Sequence, residues 1–328
     1  MQGNALHAPV ASGAQLASLA QHPGYARVFQ ENRLTFGLIA PLEAYPHAPW
    51  PTLQDHLAAA RLVDSLDFAA LWLRDVPFYD PQFGDTGQVL DPMVYAGWLA
   101  AVTSRIAIGT AGIVAPLREP LIVAKQAASL DRLSGGRFIL GLASGDRPSE
   151  FAAFGSDIEN RVARYRDALD MIRAAGTAFP VHASQHYGVL DGTLDMLPKP
   201  LAPTLPIVAI GRAGQDFDWL GQHTDGWIWH LSNPNRLADV IAQWRAGSDG
   251  VFRPYGYGVM FDLLADPDAP IEFTSFGMRG GRHALTDHWL RQRDEGVNHV
   301  ALNMKPLRRP YADAVRELAD YVLPVFAD

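Results

Sequence analysis

Hydrophobic positions along this chain follow two alternating patterns, short continuous apolar runs and longer stretches with a helical period. The first run, LTFGLIA at 34–40, precedes an amphipathic stretch at 53–66. The second run, FAALWL at 68–73, precedes a helical stretch at 91–103. Short apolar runs without alternation are typical of parallel strands that are buried on both faces. The pattern therefore predicts an α/β protein with a parallel sheet.

The same pair of elements repeats along the chain. Eight buried strands are predicted at 34–40, 68–73, 105–111, 137–142, 206–211, 226–230, 255–263 and 297–304. The predicted helices lie at 53–66, 91–103, 119–133, 159–175, 215–223, 235–246, 284–295 and 311–322. Eight parallel pairs close into a (β/α)8 TIM barrel, whereas a doubly wound open sheet usually has fewer. Because no linker or shift in composition divides residues 34–328, we expect one barrel domain there.

Three segments depart from the repeat. Residues 179–206 combine alternating residues with Gly and Pro, which predicts a hairpin insertion followed by an extended proline-rich segment. Residues 266–282, rich in Pro, Gly and Arg, are predicted to be a long loop. Residues 1–33 are predicted to be an N-terminal arm with a short helix around 14–20, used for packing or for a dimer contact.

Composition narrows the classes of function. The formal net charge of -8 argues against a nucleic-acid partner. The absence of cysteine excludes disulfides, thiolate metal sites and cysteine nucleophiles. The N-terminus lacks the basic start and apolar core of a signal peptide, and no stretch approaches the roughly 20 apolar residues of a membrane span. We therefore expect a cytoplasmic protein with no membrane partner.

The carboxyl ends of the strands are where a barrel of this class carries its chemistry. Four of these ends offer candidate residues: Arg74 and Asp75; Ala111 and Gly112; Ala143 and Ser144; and Gly211, Arg212, Ala213 and Gly214. The last group leaves a strand and enters a predicted helix, so its backbone N–H groups and its arginine suit a phosphate. A plain tight turn is the alternative for this group.

Other candidates have two interpretations each. Asp75 is a buried acid or the ion-pair partner of Arg74 or Arg105. His230, at a strand end, is an acid or base near neutral pH or a structural histidine. Trp227 and Trp229 pack in the core or form an aromatic wall for a planar ligand. His182 and His186 are four residues apart, but no carboxylate has metal-ligand spacing around them, so no metal site is expected.

Four strings resemble, in order and spacing, the bacterial luciferase-like flavin-dependent monooxygenases. They are LDRLSGGRFILGLASG followed by EFAAFG at 130–155, GTAGIVAPLREP at 109–120, PKPLAPTLPIVAIGRAGQ at 198–215, and HTDGWIWH at 223–230. The resemblance covers roughly residue 34 to the C-terminus and leaves out the arm. It implies a TIM barrel with a flavin at its carboxyl mouth.

The resemblance also implies roles for residues. Ala111-Gly112 matches a non-proline cis peptide beneath the flavin ring, and Ala143 matches the residue beside the ring. Ser144 matches a phosphate contact that is an arginine in luciferase, so Arg212 or Arg147 is expected to supply the cation instead. Residues 211–214 match the main phosphate loop. The position of luciferase's catalytic histidine holds Arg74-Asp75-Val76 here, so light emission from a long-chain aldehyde is not expected.

The implied function is that of a flavin-dependent oxidoreductase, specifically a monooxygenase that uses reduced FMN and O2 on a small organic substrate. A separate flavin reductase delivers the reduced FMN, or NAD(P)H serves as reductant. Arg74, Asp75 and His230 are expected to line the reacting side. Deazaflavin-dependent hydride transfer and a non-catalytic flavin-binding barrel remain alternatives. The resemblance also suggests a homodimer whose interface is formed by the helices between 91 and 133. It further suggests a mobile lid at 266–282, for which a disordered loop is the alternative.

Overall fold

The computed structural model describes residues 13–83, 89–230, 236–248, 251–274 and 277–327. Its strands are β1 (Thr35–Ile39), β2 (Ala70–Leu73), β3 (Ala107–Thr110), β4 (Ile113–Val114), β5 (Phe138–Ala143), β6 (Val181–Ala183), β7 (Val189–Asp191), β8 (Ile207–Ile210), β9 (Gly226–His230), β10 (Tyr255–Leu263), β11 (Glu272–Thr274), β12 (Gly277–Gly280) and β13 (His299–Asn303). Strands β1, β2, β3, β5, β8, β9, β10 and β13 are parallel, and β13 pairs with β1 to close the barrel. The predicted eight-stranded barrel is confirmed.

Helices follow the barrel strands and pack around them. They are α1 (Gly13–Gln21), α2 (Pro23–Val28), α3 (His56–Ser65), α4 (Pro92–Val102), α5 (Pro120–Ser134), α6 (Pro148–Ala153), α7 (Arg161–Ala175), α8 (Phe217–His223), α9 (Leu237–Ala246), α10 (Arg282–Asp294) and α11 (Tyr311–Glu317). Local signals set several ends. The Asp91 carboxylate accepts hydrogen bonds from the N–H groups of Met93 and Val94 at the start of α4. Gly135, with φ of 70°, ends α5.

Alternation within each strand separates two cores. In β2, Ala70 and Trp72 belong to the cluster inside the barrel, whereas Leu71 and Leu73 belong to the larger cluster between sheet and helices. Because successive side chains of a strand point to opposite faces, both faces are buried. This double burial explains why the sequence shows continuous apolar runs. In β2 the odd-numbered residues therefore contact the helices, and the even-numbered residues point toward the barrel axis.

Helices α1 and α2 close the amino end of the barrel. Phe29, which follows α2, packs its ring against Trp72 and His299 at centroid distances of 6.4 and 5.9 Å. Tyr25 donates its hydroxyl to the carbonyl of Asp225 (2.6 Å), and Gly24 donates its N–H to the carbonyl of Gly136 (2.8 Å). The N-terminal segment therefore contributes to the floor of the barrel core.

Two segments differ from the sequence-based expectation, and a third agrees with it. The prediction of a long loop at 266–282 is wrong, because β11 and β12 form an antiparallel pair there. Strand β12 also pairs with β10, with Gly277 opposite Met260. The third strand is split into β3 and β4, which both pair with β5. The hairpin insertion is confirmed as the antiparallel pair β6–β7. The predicted start of α9 at 235 lies outside the described residues.

Candidate active site

A cavity of about 860 Å³ opens at the carboxyl ends of the barrel strands. Pockets of this size hold a cofactor or a drug-sized ligand. Its lining brings together ten of the eleven candidate residues, namely Arg74, Asp75, Ala111, Gly112, Ala143, Ser144, Gly211, Arg212, Ala213 and His230. Gly214 belongs to the same loop but does not line the cavity. A second cavity of about 180 Å³ lies between α5, α7 and residues 196–207, away from this mouth.

One wall of the cavity is formed by backbone. The Ala111–Gly112 peptide bond is cis, as expected. A Cβ atom on Gly112 would lie 2.6 Å from Cγ1 of Ile210 and 3.0 Å from the carbonyl oxygen of Gly141. The Thr110 hydroxyl exchanges hydrogen bonds of 2.8 Å with the N–H and the carbonyl of Gly141. This close approach leaves no room for a side chain at Gly112, so backbone atoms form the wall beside Ala143.

The loop after β8 has an unusual backbone. Gly211, Ala213 and Gly214 have φ of 69°, 50° and 70°. A Cβ atom on Gly214 would lie 2.5 Å from Cγ2 of Val162, so both φ and space require glycine there. The buried side chain of Gln215 donates to the carbonyls of Ala213 (3.0 Å) and Val162 (3.2 Å) and so holds the loop in place.

The polar groups of this loop suit an anion. Among the described residues, the N–H groups of Arg212, Ala213 and Gly214 donate no hydrogen bond. Successive N–H groups in such a loop form a concave anion-binding surface. The guanidinium of Arg212 stacks on Phe217 at 4.4 Å and donates to the carbonyl of Gln215 (3.2 Å). A phosphate placed here would therefore meet both N–H donors and a positive charge.

The helix after the loop plays a different part from the one expected. The sequence placed the start of the helix at 215, with its N-terminus helping to bind phosphate. In the structure α8 begins at Phe217, and the N–H of Trp219 donates to the carboxylate of Asp216 (2.7 Å). Because this carboxylate already caps the helix, the loop itself carries the anion-binding groups.

Asp75 is held in a fixed ion-pair network. Its carboxylate accepts hydrogen bonds from the N–H of Val114 (3.0 Å) and from Nε (2.8 Å) and Nη2 (2.6 Å) of Arg118. Arg118 also donates to Asp91 (2.8 Å) at the start of α4. The prediction that Asp75 pairs with Arg74 or Arg105 is therefore wrong. With both oxygens engaged, Asp75 is better suited to positioning β4 than to transferring a proton.

The charge on Arg118 reflects the same network. Burial alone lowers the pKa of this guanidinium, but the hydrogen bonds and charges of Asp75 and Asp91 raise it above its ordinary value. Both carboxylates thus face a permanent positive charge. Arg118 comes from the GTAGIVAPLREP string, well separated in sequence from Asp75, so the pairing depends on the side-by-side arrangement of β2 and β3 in the sheet.

His230 and the two tryptophans before it lie at the end of β9. Trp227 is fully buried against Trp244 and Tyr255, so its role is core packing. Trp229 is partly buried and lines the cavity, where its ring meets that of His230 edge to face at 4.8 Å. Partial burial lowers the pKa of His230, which favours its neutral form. Arg74, at the end of β2, is half-buried and lines the same cavity.

Glu150 is a residue of the cavity wall that the sequence-based analysis did not identify. It lies in α6, only 4 % exposed, and its Oε1 atom accepts no hydrogen bond from the described residues. Burial raises the pKa of this carboxyl. Arg147, 5 % exposed, places Nη1 at 3.9 Å from Oε1 and stacks on Phe83 at 4.6 Å. The only signal in the sequence was the EFAAFG string itself.

The described residues form neither a metal site nor a membrane-spanning helix. His186 pairs with Asp167 (2.9 Å), and no group of three or more His, Cys, Asp or Glu residues in that part of the chain is placed to hold a metal ion. No helix there is long and apolar enough to cross a membrane.

Two bacterial proteins are similar in sequence to most of this chain. A protein of Mycobacterium tuberculosis (strain ATCC 25618 / H37Rv) that is described only as uncharacterized is 32% identical over 265 residues, which cover 74% of this chain and 90% of that protein. The 4-hydroxyprotoasukamycin monooxygenase of Streptomyces nodosus subsp. asukaensis is 28% identical over 298 residues, covering 88% of this chain and 77% of that enzyme.

Of two solved structures with the same fold, one holds an F420-acetone adduct and the other holds FMN. An F420-dependent secondary alcohol dehydrogenase has a TM-score of 0.73 at 17% identity, covering 90% of this chain and 100% of that one. The oxygenating constituent of 3,6-diketocamphane monooxygenase from Pseudomonas putida, in complex with FMN, has a TM-score of 0.67 at 13% identity, covering 89% and 98%. A sequence model of the luciferase-like monooxygenases matches residues 34–268. This chain belongs to the luciferase-like monooxygenase family.

Proposed function

We propose that this protein is a flavin-dependent monooxygenase that oxidises a small organic substrate with O2 and reduced FMN. The observation that carries the proposal is the loop at residues 211–214. The N–H groups of Arg212, Ala213 and Gly214 donate no hydrogen bond among the described residues, and residues 211–213 line a cavity of about 860 Å³. Such a loop fits a phosphate monoester. The backbone wall at Ala111-Gly112 adds a surface for a planar ring.

Each part of the cavity has a distinct role in this proposal. The N–H groups of Arg212, Ala213 and Gly214 bind the phosphate of FMN, and the guanidinium of Arg212 adds a charge-assisted contact. Ala111, Gly112 and Ala143 pack against the ring, and the Ser144 hydroxyl donates to the ribityl or phosphate end. The bound cofactor supplies the electrons that activate O2. Trp229 and the hairpin residue Phe273 limit the access of water to the ring.

The charges around the cavity favour FMN over a deazaflavin with a long acidic tail. Three arginines line it, Arg74, Arg147 and Arg212, and three carboxylates do so as well, Asp75, Asp146 and Glu150. Arg147 lies 3.9 Å from Glu150, within ion-pair distance. Among the described residues, the lining thus holds as many carboxylates as arginines, which gives little support to binding of an oligoanionic tail. Arg212, beside the phosphate loop, suits the single phosphate of FMN.

Arg212→Ala tests the phosphate loop. We expect the change to weaken FMN binding about 10- to 100-fold, the effect of one charge-assisted hydrogen bond, while riboflavin binding changes less than about threefold. Flavin fluorescence quenching or calorimetry measures both ligands, with F420 titrated in parallel. Arg61→Ala, an exposed arginine on α3, is the matched control. An equal loss for FMN and riboflavin would place the phosphate elsewhere.

Turnover separates the enzyme from the binding-protein alternative. With NAD(P)H and an added flavin reductase supplying reduced FMN, the proposal expects substrate-dependent oxygenated product. Hydrogen peroxide without product from a broad substrate panel would instead support a flavin-binding barrel. Reduction or oxidation of F420 with an alcohol, without O2, would support hydride transfer.

We also propose that the protein forms a homodimer through α4 and α5. Val94 and Trp98 on α4 and Ile122 on α5 are 75%, 37% and 56% exposed, which is unusual for large apolar side chains on neighbouring helices. Sedimentation equilibrium measures the assembly state. A monomer at micromolar concentration would contradict this part of the proposal.

A further inference from the structure

A buried carboxyl lies in the cavity wall and has no role in the flavin contacts described above. Glu150 is held within α6 by a backbone hydrogen bond to the carbonyl of Arg147 (3.1 Å), and its side chain lines the cavity. Its Oε1 atom is buried and accepts no hydrogen bond from the described residues. Native proteins satisfy nearly all buried polar atoms, so an exception in a binding cavity points to a ligand.

The surroundings of Glu150 are mixed in charge. Arg147 Nη1, at 3.9 Å from Oε1, is too distant for a hydrogen bond. Burial raises the pKa of the Glu150 carboxyl, Arg147 lowers it, and the negative charges of Asp75, Asp146 and Asp80 raise it further. A ligand group that reaches this atom must therefore form a hydrogen bond with a buried carboxyl.

A hydroxyl group meets this requirement. It donates a hydrogen bond to a carboxylate and accepts one from a carboxylic acid, whereas an ammonium suits only the first form and a carbonyl only the second. Three aromatic side chains, Phe83, Trp229 and Phe273, line the same cavity. Aromatic walls suit an aromatic ligand body.

We propose that Glu150 binds the hydroxyl group of the substrate, and that the substrate is a phenol. The inference rests on the proposed function because it assumes that Glu150 and the flavin share one cavity. It adds a substrate class that the phosphate loop and the flavin surface do not determine. A site built around such a hydrogen bond discriminates strongly against a ligand that lacks the hydroxyl.

The test compares 4-ethylphenol with 4-ethylanisole, which keeps the aromatic body and lacks the O–H group. Binding to the full chain is measured by calorimetry or ligand-observed NMR, with FMN present. We expect the wild-type chain to prefer the phenol by about tenfold, the effect of one hydrogen bond to a buried carboxyl. Glu150→Leu should bind both ligands equally, and Glu150→Gln should retain a reduced preference through its neutral amide.

Glu159→Gln is the control, since Glu159 is exposed and does not line the cavity. It should keep the tenfold preference. No preference in the wild-type chain, or an undiminished preference in Glu150→Leu, would overturn the inference. If Glu150→Leu does not fold, an undiminished tenfold preference in Glu150→Gln would overturn it as well, because a neutral amide makes a weaker hydrogen bond than a carboxylate.

Cofactor titration of the same wild-type preparation separates this inference from the proposed function. Binding of neither FMN nor F420 would overturn the proposed function, whatever the phenol result. Binding of FMN together with equal affinity for phenol and methyl ether would overturn the phenol inference alone.

Discussion

At the scale of single residues, the structure changes the meaning of Asp75. In the sequence it is an acid at the carboxyl end of a barrel strand, a common place for a catalytic group. In the structure its two oxygens receive three hydrogen bonds, two of them from Arg118, and Asp91 holds the same guanidinium. The network ties β2, β4 and α4 together beside the proposed flavin surface. We therefore expect Asp75 to hold β4 in position and not to transfer a proton.

Asp75→Asn tests this role. Replacing one carboxylate oxygen by an NH2 group removes a charge-assisted contact and places a donor against Arg118, so the free energy of unfolding should fall by about 1.5–3 kcal/mol. Urea denaturation measures the change. Asp313→Asn, at an exposed position of α11, should leave stability unchanged within about 0.5 kcal/mol. Unchanged stability with lost turnover would instead assign Asp75 to the chemistry.

At the scale of elements, the N-terminal helices are part of the barrel. Val28 and Phe29 join the same buried cluster as Trp72, Ala107 and Ile139. A barrel of this size has two open ends, and the mouth must stay open for a ligand. The amino end is closed by α1 and α2, which shields the apolar barrel interior from water.

Phe29→Ala tests the floor. Removing this ring, 3% exposed, leaves a cavity beneath Trp72, and we expect the unfolding free energy to fall by about 3–5 kcal/mol. Thermal or urea unfolding provides the measurement. Phe179→Ala, at a side chain that is 59% exposed, serves as the control and should change stability far less. A small change in unfolding free energy for Phe29→Ala would mean that α1 and α2 contribute little to the stability of the barrel.

The hairpin β11–β12 shows how an element can be hidden in the sequence. Its strands have three and four residues, its exposed residues Glu272 to Thr274 show no buried face, and Gly277 is needed because a Cβ there would clash with the carbonyl of Met260. Glycine and short polar strands look like a loop in a sequence. The hairpin exists because the end of β10 offers it a free edge.

At the scale of the whole molecule, a polar network runs through the apolar barrel interior. Trp72 donates from Nε1 to Nε2 of His299 (2.8 Å), and Nδ1 of His299 lies 2.7 Å from the hydroxyl of Thr35. Thr35 donates in turn to the carbonyl of Val28 (2.6 Å). With Nε2 as acceptor, the ring is neutral, and its protonation would place two donors face to face. Burial accordingly lowers the pKa of His299 to about 3.

This network predicts acid sensitivity. Below pH 6.5 the unfolded chain takes up a proton at His299 that the folded chain refuses until about pH 3, so stability falls as pH falls through this window. The slope contributed by His299 is at most about 1.4 kcal/mol per pH unit. His299→Gln, measured by urea unfolding at several pH values, should flatten the dependence by about that amount. His47→Gln, an exposed histidine, should leave the slope unchanged.

Much of the architecture follows from local sequence signals. Continuous apolar runs predicted the eight barrel strands, and Pro and Gly at helix ends predicted the bounds of α4 and α5 to within a residue or two. The strand ends also predicted the residues that line the mouth. Barrel closure made that possible, because all eight parallel strands deliver their carboxyl ends to one face.

The partners of those residues could not be predicted in the same way. The sequence placed Asp75 beside Arg74, but the side-by-side arrangement of β2 and β3 in the sheet brings Arg118, 43 positions away, to its carboxylate. Glu150 opens the EFAAFG string, but an acid after a proline and a serine is typical of an exposed first helical turn, so its burial could not be predicted. Its burial depends on packing against segments far away in sequence.

The sequence by itself determined the barrel, its strand ends and the family, because periodicity and glycine placement are local properties of the chain. Only the tertiary structure decided which side chains are buried together, which donors the 211–214 loop leaves available, and which buried carboxyl oxygen accepts no hydrogen bond from the described residues. Desolvation and hydrogen bonding depend on neighbours brought together by folding, and these two effects decide the chemistry of the mouth.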